Sequence, residues 1–186
     1  MLDLATGLQV GELVALKWKD IDFEKGILKI SKSMTRKYVE KDGKRKLKIE
    51  EDTPKTKSSI RSVPIPSNVL CKLKKYKEEQ EKLKKEYNDI YDDRDYVFAN
   101  KLGEFIKPDT ITKAYCKILR EAGISHKKFH SLRHTYATRL SEIGVPLNVI
   151  QKLLGHSSIR MTADIYTHVM DEEKVIAVER INEIFN

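Results

Sequence analysis

The chain has 186 residues and a hydrophobic content of 40%, which is enough for one well-buried domain. Its formal net charge of +8 favours a polyanionic partner. It contains no apolar run of about 18 residues and no basic segment followed by an apolar stretch, so neither a membrane span nor a signal peptide is predicted. Cys71 and Cys116 fit neither a disulfide framework nor a zinc site, and we expect a reducing, cytoplasmic location.

The first third of the chain predicts short helical segments and a small antiparallel sheet. Residues 1–7 read as the end of an apolar helix, and residues 7–16 carry a partly helical apolar stripe. The predicted strands cover residues 27–31, residues 34–40 and a stretch that ends in the run 60–65, with a turn at 41–44. Pro64 marks the last strand as an edge strand or its end.

The remainder predicts helices. Residues 67–88 form a long helix with Ser67 as its N-cap, and alternating Lys and Glu between residues 72 and 85 favour a solvated face. Further helices are predicted at 109–122, 130–143, 147–154, around Tyr166 and at 171–185. The predicted fold class is therefore α+β and mostly helical, built around a small antiparallel β-sheet.

Four residues near the end of the chain form a pattern suited to phosphodiester cleavage. They are His130 and Arg133 in the run His-Ser-Leu-Arg, His156 in Leu-Gly-His, and Tyr166 in Ile-Tyr-Thr-His. A tyrosine oxygen can attack phosphorus, a guanidinium can hold two phosphate oxygens, and imidazoles can donate hydrogen bonds or move protons. Taken singly, each has a structural interpretation as well, namely a surface arginine, a capping or loop histidine, or an anchoring aromatic.

The ordered set of motifs from residue 6 to residue 168 resembles the catalytic domain of tyrosine recombinases of the phage integrase type. Thr6-Gly-Leu-Gln-Val-Gly-Glu-Leu13 is similar to the family's first box, and the segment from Thr53-Pro-Lys-Thr-Lys57 to Ile65 is similar to its lysine-bearing β-hairpin. The resemblance implies the tyrosine recombinase catalytic-domain fold. It also implies that residues 1–186 are a fragment that lacks the N-terminal part of the catalytic domain and the separate core DNA-binding domain.

The resemblance implies a role for each motif residue. Tyr166 is the nucleophile that forms a 3′-phosphotyrosyl intermediate, Arg133 binds the phosphate, and His156 or His130 assists proton removal. A lysine protonates the leaving 5′ oxygen, and both lysines of the Lys-Thr-Lys-Ser run fit this role. The order of that run favours Lys55 over Lys57.

The first box departs from the family pattern at one position. Where the family has an arginine that clamps the scissile phosphate, this chain has Gln9. A glutamine carries no charge and cannot make the forked contact of a guanidinium, so slow cleavage is expected. Glu12, three residues later, is interpreted as the acidic partner that orients a neighbouring histidine or arginine.

The implied partner is double-stranded DNA, and no cofactor or metal is implied. The residues expected to contact DNA are Lys57, Arg61, Lys127, Lys128, Arg139 and Arg160. Family members act as tetramers on DNA and often pass their C-terminal helix to a neighbouring subunit, so the resemblance implies such an exchange for residues 171–186. The apolar stripe of this predicted helix is equally explained by packing on its own domain.

Two alternatives to an active recombinase remain open. The run from Ala137 to Gly155 is similar to a helix-turn-helix, which is typical of a transcription regulator without chemistry. A recombinase fold that has lost activity through Gln9 is the other. A covalent protein–DNA adduct distinguishes the active recombinase from both.

Overall fold

A computed structural model describes residues 1–41, 44–54 and 56–166, and it describes the backbone alone at residues 41, 44, 57 and 164–166. The predicted tail helix at 171–185 and Lys55 therefore lie outside the described residues. The helices are α1 Leu2–Thr6, α2 Val10–Ala15, α3 Ser67–Tyr87, α4 Pro108–Glu121, α5 Ser131–Glu142, α6 Leu147–Leu154 and α7 Arg160–Tyr166. The strands are β1 Ile21–Asp22, β2 Ile27–Ile30, β3 Ser33–Lys41, β4 Lys44–Asp52 and β5 Arg61–Pro64.

The strands form two separate antiparallel sheets. The first has the order β1-β2-β5, and the fully buried Leu28 and Val63 are partners in its β2–β5 register. The second is the ribbon β3–β4, in which Ser33 pairs with Asp52 at the end nearest the body of the domain. The predicted fold class, mostly helical around small antiparallel sheets, is confirmed by this architecture.

The single strand predicted to end at residues 60–65 is wrong. β4 ends at Asp52 and β5 begins at Arg61 in the other sheet. Between them Pro54 cannot donate a ladder hydrogen bond, and the polar run that follows offers no apolar side chain to a core. The position of Lys55 is therefore in the β4–β5 connection, and not at the turn of the β3–β4 hairpin.

The helix predicted over residues 7–16 is shorter than expected. Gly7 ends α1 in the left-handed conformation (φ 62°), and Gln9 is extended before α2 begins. A Cβ atom at Gly7 would lie 2.5 Å from Cδ1 of Tyr136, so only glycine lets α5 approach the end of α1 this closely. The break between α1 and α2 at Gly7 therefore allows α5 to pack directly against the end of α1.

The long helix α3 begins as predicted, but its N-cap is Pro66, and Ser67 is its first helical residue. One of its polar side chains is buried. Gln80 accepts a hydrogen bond from Trp18 Nε1 (2.5 Å) and donates one to the Tyr96 carbonyl (3.1 Å). It continues the apolar stripe of this helix, whereas most of the lysines and glutamates between residues 72 and 85 are exposed, as expected.

The hydrogen bonds of Gln80 give a test of this packing. Gln80→Leu is expected to lower the free energy of unfolding by about 1–3 kcal/mol, because it leaves the Trp18 N–H and the Tyr96 carbonyl without partners in the core. Urea unfolding followed by the fluorescence of Trp18, the only tryptophan, measures the loss. Lys74→Leu, at an exposed position of α3, is the matched control and is expected to change stability by about 0.5 kcal/mol or less.

Candidate active site

The centre of the site is the buried side chain of Arg133 on α5, which is 2% exposed. Its guanidinium donates to the Gly7 carbonyl (2.8 Å) at the end of α1 and to the Leu154 carbonyl (2.5 Å) at the end of α6. Carbonyls at helix C-termini have no partner within their helix and carry partial negative charge, so they suit a cation. Arg133 therefore joins three helices that are far apart in sequence.

The charge of Arg133 has no direct counter-ion. No carboxylate of the described residues forms an ion pair with it, and its Nε–H has no hydrogen-bond partner among them. Burial lowers the pKa of Arg133 to about 10, the nearby charge of Arg61 contributes in the same direction, and the more distant carboxylates of Glu12 and Asp3 act against it. At neutral pH the side chain is still a cation, so the site holds a buried positive charge whose hydrogen bonds all go to neutral groups.

A second buried arginine lies nearby, and its charge is neutralised. Arg61 on β5 forms a bidentate ion pair with Glu12 on α2, with N–O distances of 2.8 and 2.9 Å. Its Nε donates to the Leu153 carbonyl (2.7 Å), so all three guanidinium nitrogens are used within the protein. The predicted contact of Arg61 with DNA does not fit this placement. The arginine that Glu12 orients is Arg61.

Glu12 also fixes the start of α2. Its Oε2 accepts a hydrogen bond from the backbone N–H of Gln9 (2.8 Å), which is the carboxylate half of a capping box. The same carboxylate thus holds Arg61 and sets the backbone position of residue 9. The side chain of Gln9 is exposed.

His156 follows the left-handed Gly155 (φ 72°) at the end of α6. A Cβ atom at residue 155 would lie 2.8 Å from the Ser58 carbonyl oxygen and 2.9 Å from Cδ of Arg61, so glycine is required here by close packing as well as by the helix end. The imidazole Nδ1 lies 2.9 Å from the hydroxyl of the fully buried Thr162 on α7. Sequence reasoning assigned no role to Thr162.

The pKa of His156 is lowered to about 4, first by burial and then by the positive charges of Arg133 and Arg61. His156 is therefore neutral at pH 7 and has one ring nitrogen free of the Thr162 contact. Such an imidazole can accept a proton or donate a hydrogen bond, depending on its tautomer.

His130 precedes α5 and packs edge-on against His134, with ring centroids 4.8 Å apart. Partial burial lowers its pKa, and the neighbouring His134 and Arg133 contribute in the same direction. His130 shares the wall of a cavity of about 660 Å³ with Gln9, Arg36 and Asp109. The structure thus brings His130 and Gln9 to one opening.

Tyr166 is the last residue of α7, a helix that packs against α5 and α6. Its side chain is not described, so its predicted role as nucleophile stays a prediction. The same holds for Lys55. Its neighbours Thr53 and Pro54 line a second cavity, of about 440 Å³, together with Gln9 and Glu12.

The remaining cations expected to contact DNA lie on the surface. Lys127, Lys128 and Arg160 are exposed, whereas Arg139 is exposed but paired with Glu142 at 2.6 Å. Lys57 is described by its backbone alone, in the turn Lys57–Ser59. These DNA contacts stay predictions. No group of three or more His, Cys, Asp or Glu residues in the described part of the chain is arranged to hold a metal ion.

Comparison with known proteins identifies the family. A family model described as the phage integrase family matches residues 1–173. The chain belongs to this family. The resemblance drawn from the motifs is thereby confirmed.

Two curated relatives and one solved structure illustrate the likeness. The chain is 46% identical over 189 residues to a XerC-like tyrosine recombinase of Caldanaerobacter subterraneus subsp. tengcongensis, covering 100% of this chain and 48% of the relative. It is 34% identical over 189 residues to the tyrosine recombinase XerA of Pyrococcus furiosus, covering 100% and 54%. The Tn1549 transposon integrase in complex with transposon right end DNA has the same fold, with a TM-score of 0.75, 24% identity and coverage of 97% and 57%.

This phage integrase family member spans about half the length of the curated relatives it matches. None of its described helices is long and apolar enough to cross a membrane.

Loss of either partner of the buried ion pair between Arg61 and Glu12 is expected to destabilise the folded protein strongly. Arg61→Met or Glu12→Gln alone should each lower the free energy of unfolding by about 3–5 kcal/mol, because each leaves a buried charge unpaired. The double variant should lose much less than the sum of the two, which urea unfolding of all four proteins measures. Arg139→Met, which breaks an exposed pair, is expected to cost about 1 kcal/mol or less. Additive losses would show that the two side chains do not interact.

The lowered pKa of His156 predicts a dependence of stability on pH. In the unfolded chain a histidine titrates near 6.5, but in the fold this one titrates near 4. Between these values the unfolded state binds more protons, so folding stability falls as the pH is lowered from 6.5 to 4. His156→Gln is expected to flatten this fall, as measured by thermal unfolding at intervals of pH. An unchanged pH profile in the variant would contradict the burial of a neutral imidazole.

Proposed function

We propose that this chain is the DNA-cleaving part of a site-specific tyrosine recombinase, which cuts and rejoins strands through a 3′-phosphotyrosyl intermediate. The observation that supports this most directly is the unpaired charge of Arg133. A buried cation without a counter-ion is costly, and the cost falls when an anion binds beside it. Arg61 does not have this property, because Glu12 neutralises it.

The relatives support the choice of DNA as the source of that anion. The Tn1549 integrase, which has the same fold, was solved in complex with transposon right end DNA. In this chain the exposed cations Lys127, Lys128 and Arg160 are the residues proposed to position a DNA backbone. On the β3–β4 ribbon Lys37 lies opposite Lys48 and Val39 lies opposite Lys46. Lys37 and Lys48 form ion pairs with Glu50 or Asp52, so Lys46, further out on the same face, is the ribbon lysine proposed to contact DNA.

In the proposed first step the phenol oxygen of Tyr166 forms a bond to phosphorus and the bond to the 5′ oxygen breaks. The phenol proton goes to a neutral imidazole, for which His156 or His130 is available. The leaving oxygen takes a proton from Lys55 or Lys57 and becomes a free 5′ hydroxyl. In the second step a 5′ hydroxyl of the partner duplex forms a bond to phosphorus and gives its proton back to the lysine, while the bond to Tyr166 breaks and the imidazole returns its proton to the tyrosine oxygen. Neither step consumes an external energy source.

Electrostatic stabilisation is the main contribution of the buried groups. Arg133 is fixed by the ends of two helices before DNA arrives, so it needs no rearrangement to meet the negative charge that grows on phosphorus oxygens. Gln9 supplies no charge at the position where the family has an arginine, so the proposed rate is low. For the longer protein we propose a tetramer on double-stranded DNA.

A catalytically silent DNA-binding form is the second candidate, and Gln9 is the observation that favours it. The helix-turn-helix regulator is less well supported, because α5 turns Arg133 into the core.

The nucleophile is tested with a nicked suicide duplex carrying the target sequence, followed by denaturing electrophoresis. The parent chain is expected to form a covalent adduct, and Tyr166→Phe is expected to form none while binding the duplex as before, since it loses one oxygen and no charge. An adduct in the Phe variant would assign the attack to another residue. Tyr136→Phe, which removes the same oxygen from a tyrosine near Arg61, is the matched control and should retain the adduct.

The effect of position 9 is tested by Gln9→Arg. Removing one hydrogen-bond donor that contacts a transition state lowers the rate constant by a factor of about 10²–10³. An arginine that contacts a transferring phosphoryl group raises the rate constant by a factor of about 10³–10⁵. We therefore expect the substitution to raise the single-turnover cleavage rate at saturating protein by about a hundredfold or more. Equal rates would show that residue 9 does not face the phosphate.

A further inference from the structure

The missing charge at position 9 raises the question of whether another cation reaches the same cavity. Gln9 lines two neighbouring cavities, one with His130 and the other with Glu12 and Thr53. Among the described residues, Arg36 is the arginine that lines both of them.

Backbone packing fixes the position of Arg36. The first residues of β3 lie directly against α2, because a Cβ atom at Gly11 would come within 2.6 Å of Ser33 Oγ and 2.8 Å of the Met34 carbonyl oxygen. Met34 is buried in the core, and Arg36, two residues further along the strand, lies on the same face. The strand therefore holds the root of the Arg36 side chain beside the first turn of α2, which Gln9 caps.

The present partner of Arg36 is weakly held. Its guanidinium forms an ion pair with Asp109 in the first turn of α4, and the two side chains are 47% and 62% exposed. An exposed pair of this kind contributes about 0–1 kcal/mol. Exchanging the Asp109 carboxylate for a phosphate in the adjoining cavity therefore costs little, and both ligands suit a planar guanidinium.

We propose that Arg36 contacts the scissile phosphate and partly replaces the arginine that position 9 lacks. This rests on the proposed function, since it assigns a catalytic residue to the same reaction. Arg36 and Arg133 would then hold the phosphate from two directions, one from the ribbon and the other from α5. The replacement is partial, because an exposed side chain on a strand is less firmly oriented than one at the start of a helix.

The test is a double-mutant cycle in the full chain, with single-turnover cleavage of the nicked duplex at saturating protein as the measurement. Arg36→Ala is expected to slow cleavage about tenfold or more in the parent chain. In a chain that also carries Gln9→Arg, the same change should slow cleavage by about threefold or less, since an arginine at position 9 makes the replacement unnecessary. Arg36→Lys should recover part of the loss, because it restores the charge without the fork.

Two further variants separate contact with the phosphate from other roles. Arg45→Ala removes an arginine from the same face of the ribbon, further out, and is expected to leave the rate unchanged. Asp109→Asn removes the competing carboxylate and should leave the rate equal or higher. A loss in Asp109→Asn as large as that in Arg36→Ala would overturn the proposal, because the ion pair itself would then be what matters.

An equal loss from Arg36→Ala in the parent chain and in the chain that carries Gln9→Arg would also overturn it, since the contribution of Arg36 to cleavage would then be independent of position 9. In both cases adduct formation would persist, so the proposed function would stand. The absence of adduct from every variant, with Gln9→Arg included, would overturn the proposed function and the role of Arg36 together.

Discussion

The site depends on one interaction, the capture of the Arg133 guanidinium by the carbonyl ends of α1 and α6. Gly7 and Arg133 are 126 residues apart in sequence, so the contact can form only when the first and last thirds of the chain have packed together. Both acceptors are helix-end carbonyls that need a donor in any case. The fold thus satisfies two helix termini and positions the Arg133 cation with the same hydrogen bonds.

The two buried arginines differ in their hydrogen-bond partners, and this difference separates the structural role of Arg61 from the phosphate-binding role proposed for Arg133. Arg61 has a carboxylate, Glu12, as its bidentate partner and contributes no net charge to the site. Arg133 has only neutral acceptors and keeps its full charge. Both arginines nevertheless act on His156: burial is the main reason that its pKa is low, and the positive charges of Arg133 and Arg61 lower it further. A neutral histidine beside an unpaired cation is suited to a phosphate that brings negative charge with it.

The ribbon β3–β4 connects the site to the surface. Its base packs on α2, Lys17 pairs with Glu51 at 2.9 Å, and the acidic residues Glu50, Glu51 and Asp52 of β4 lie near this end. Lys37 is paired there with Asp52 at 2.8 Å, whereas the cations further out have fewer acidic neighbours. This gradient of charge follows from the register alone, because the Glu-Glu-Asp run of β4 lies opposite the first residues of β3. A polyanion would meet the outer ribbon first.

The sequence by itself determined the family and the approximate positions of the helices from residue 67 to residue 154, because periodicity and residue type are local properties. His130, Arg133, His156 and Tyr166 could be selected from their chemistry and order without any coordinates. Only the tertiary structure decided which cations are free. The sequence predicted that Arg61 contacts DNA, but in the fold its charge is neutralised by the buried carboxylate of Glu12. Gln80 had no assigned role, yet it is buried and accepts a hydrogen bond from Trp18. Arg36 had no assigned role until strand packing placed it beside Gln9. In each case the deciding partner lies far away in sequence, and no local pattern encodes which charges meet in the fold.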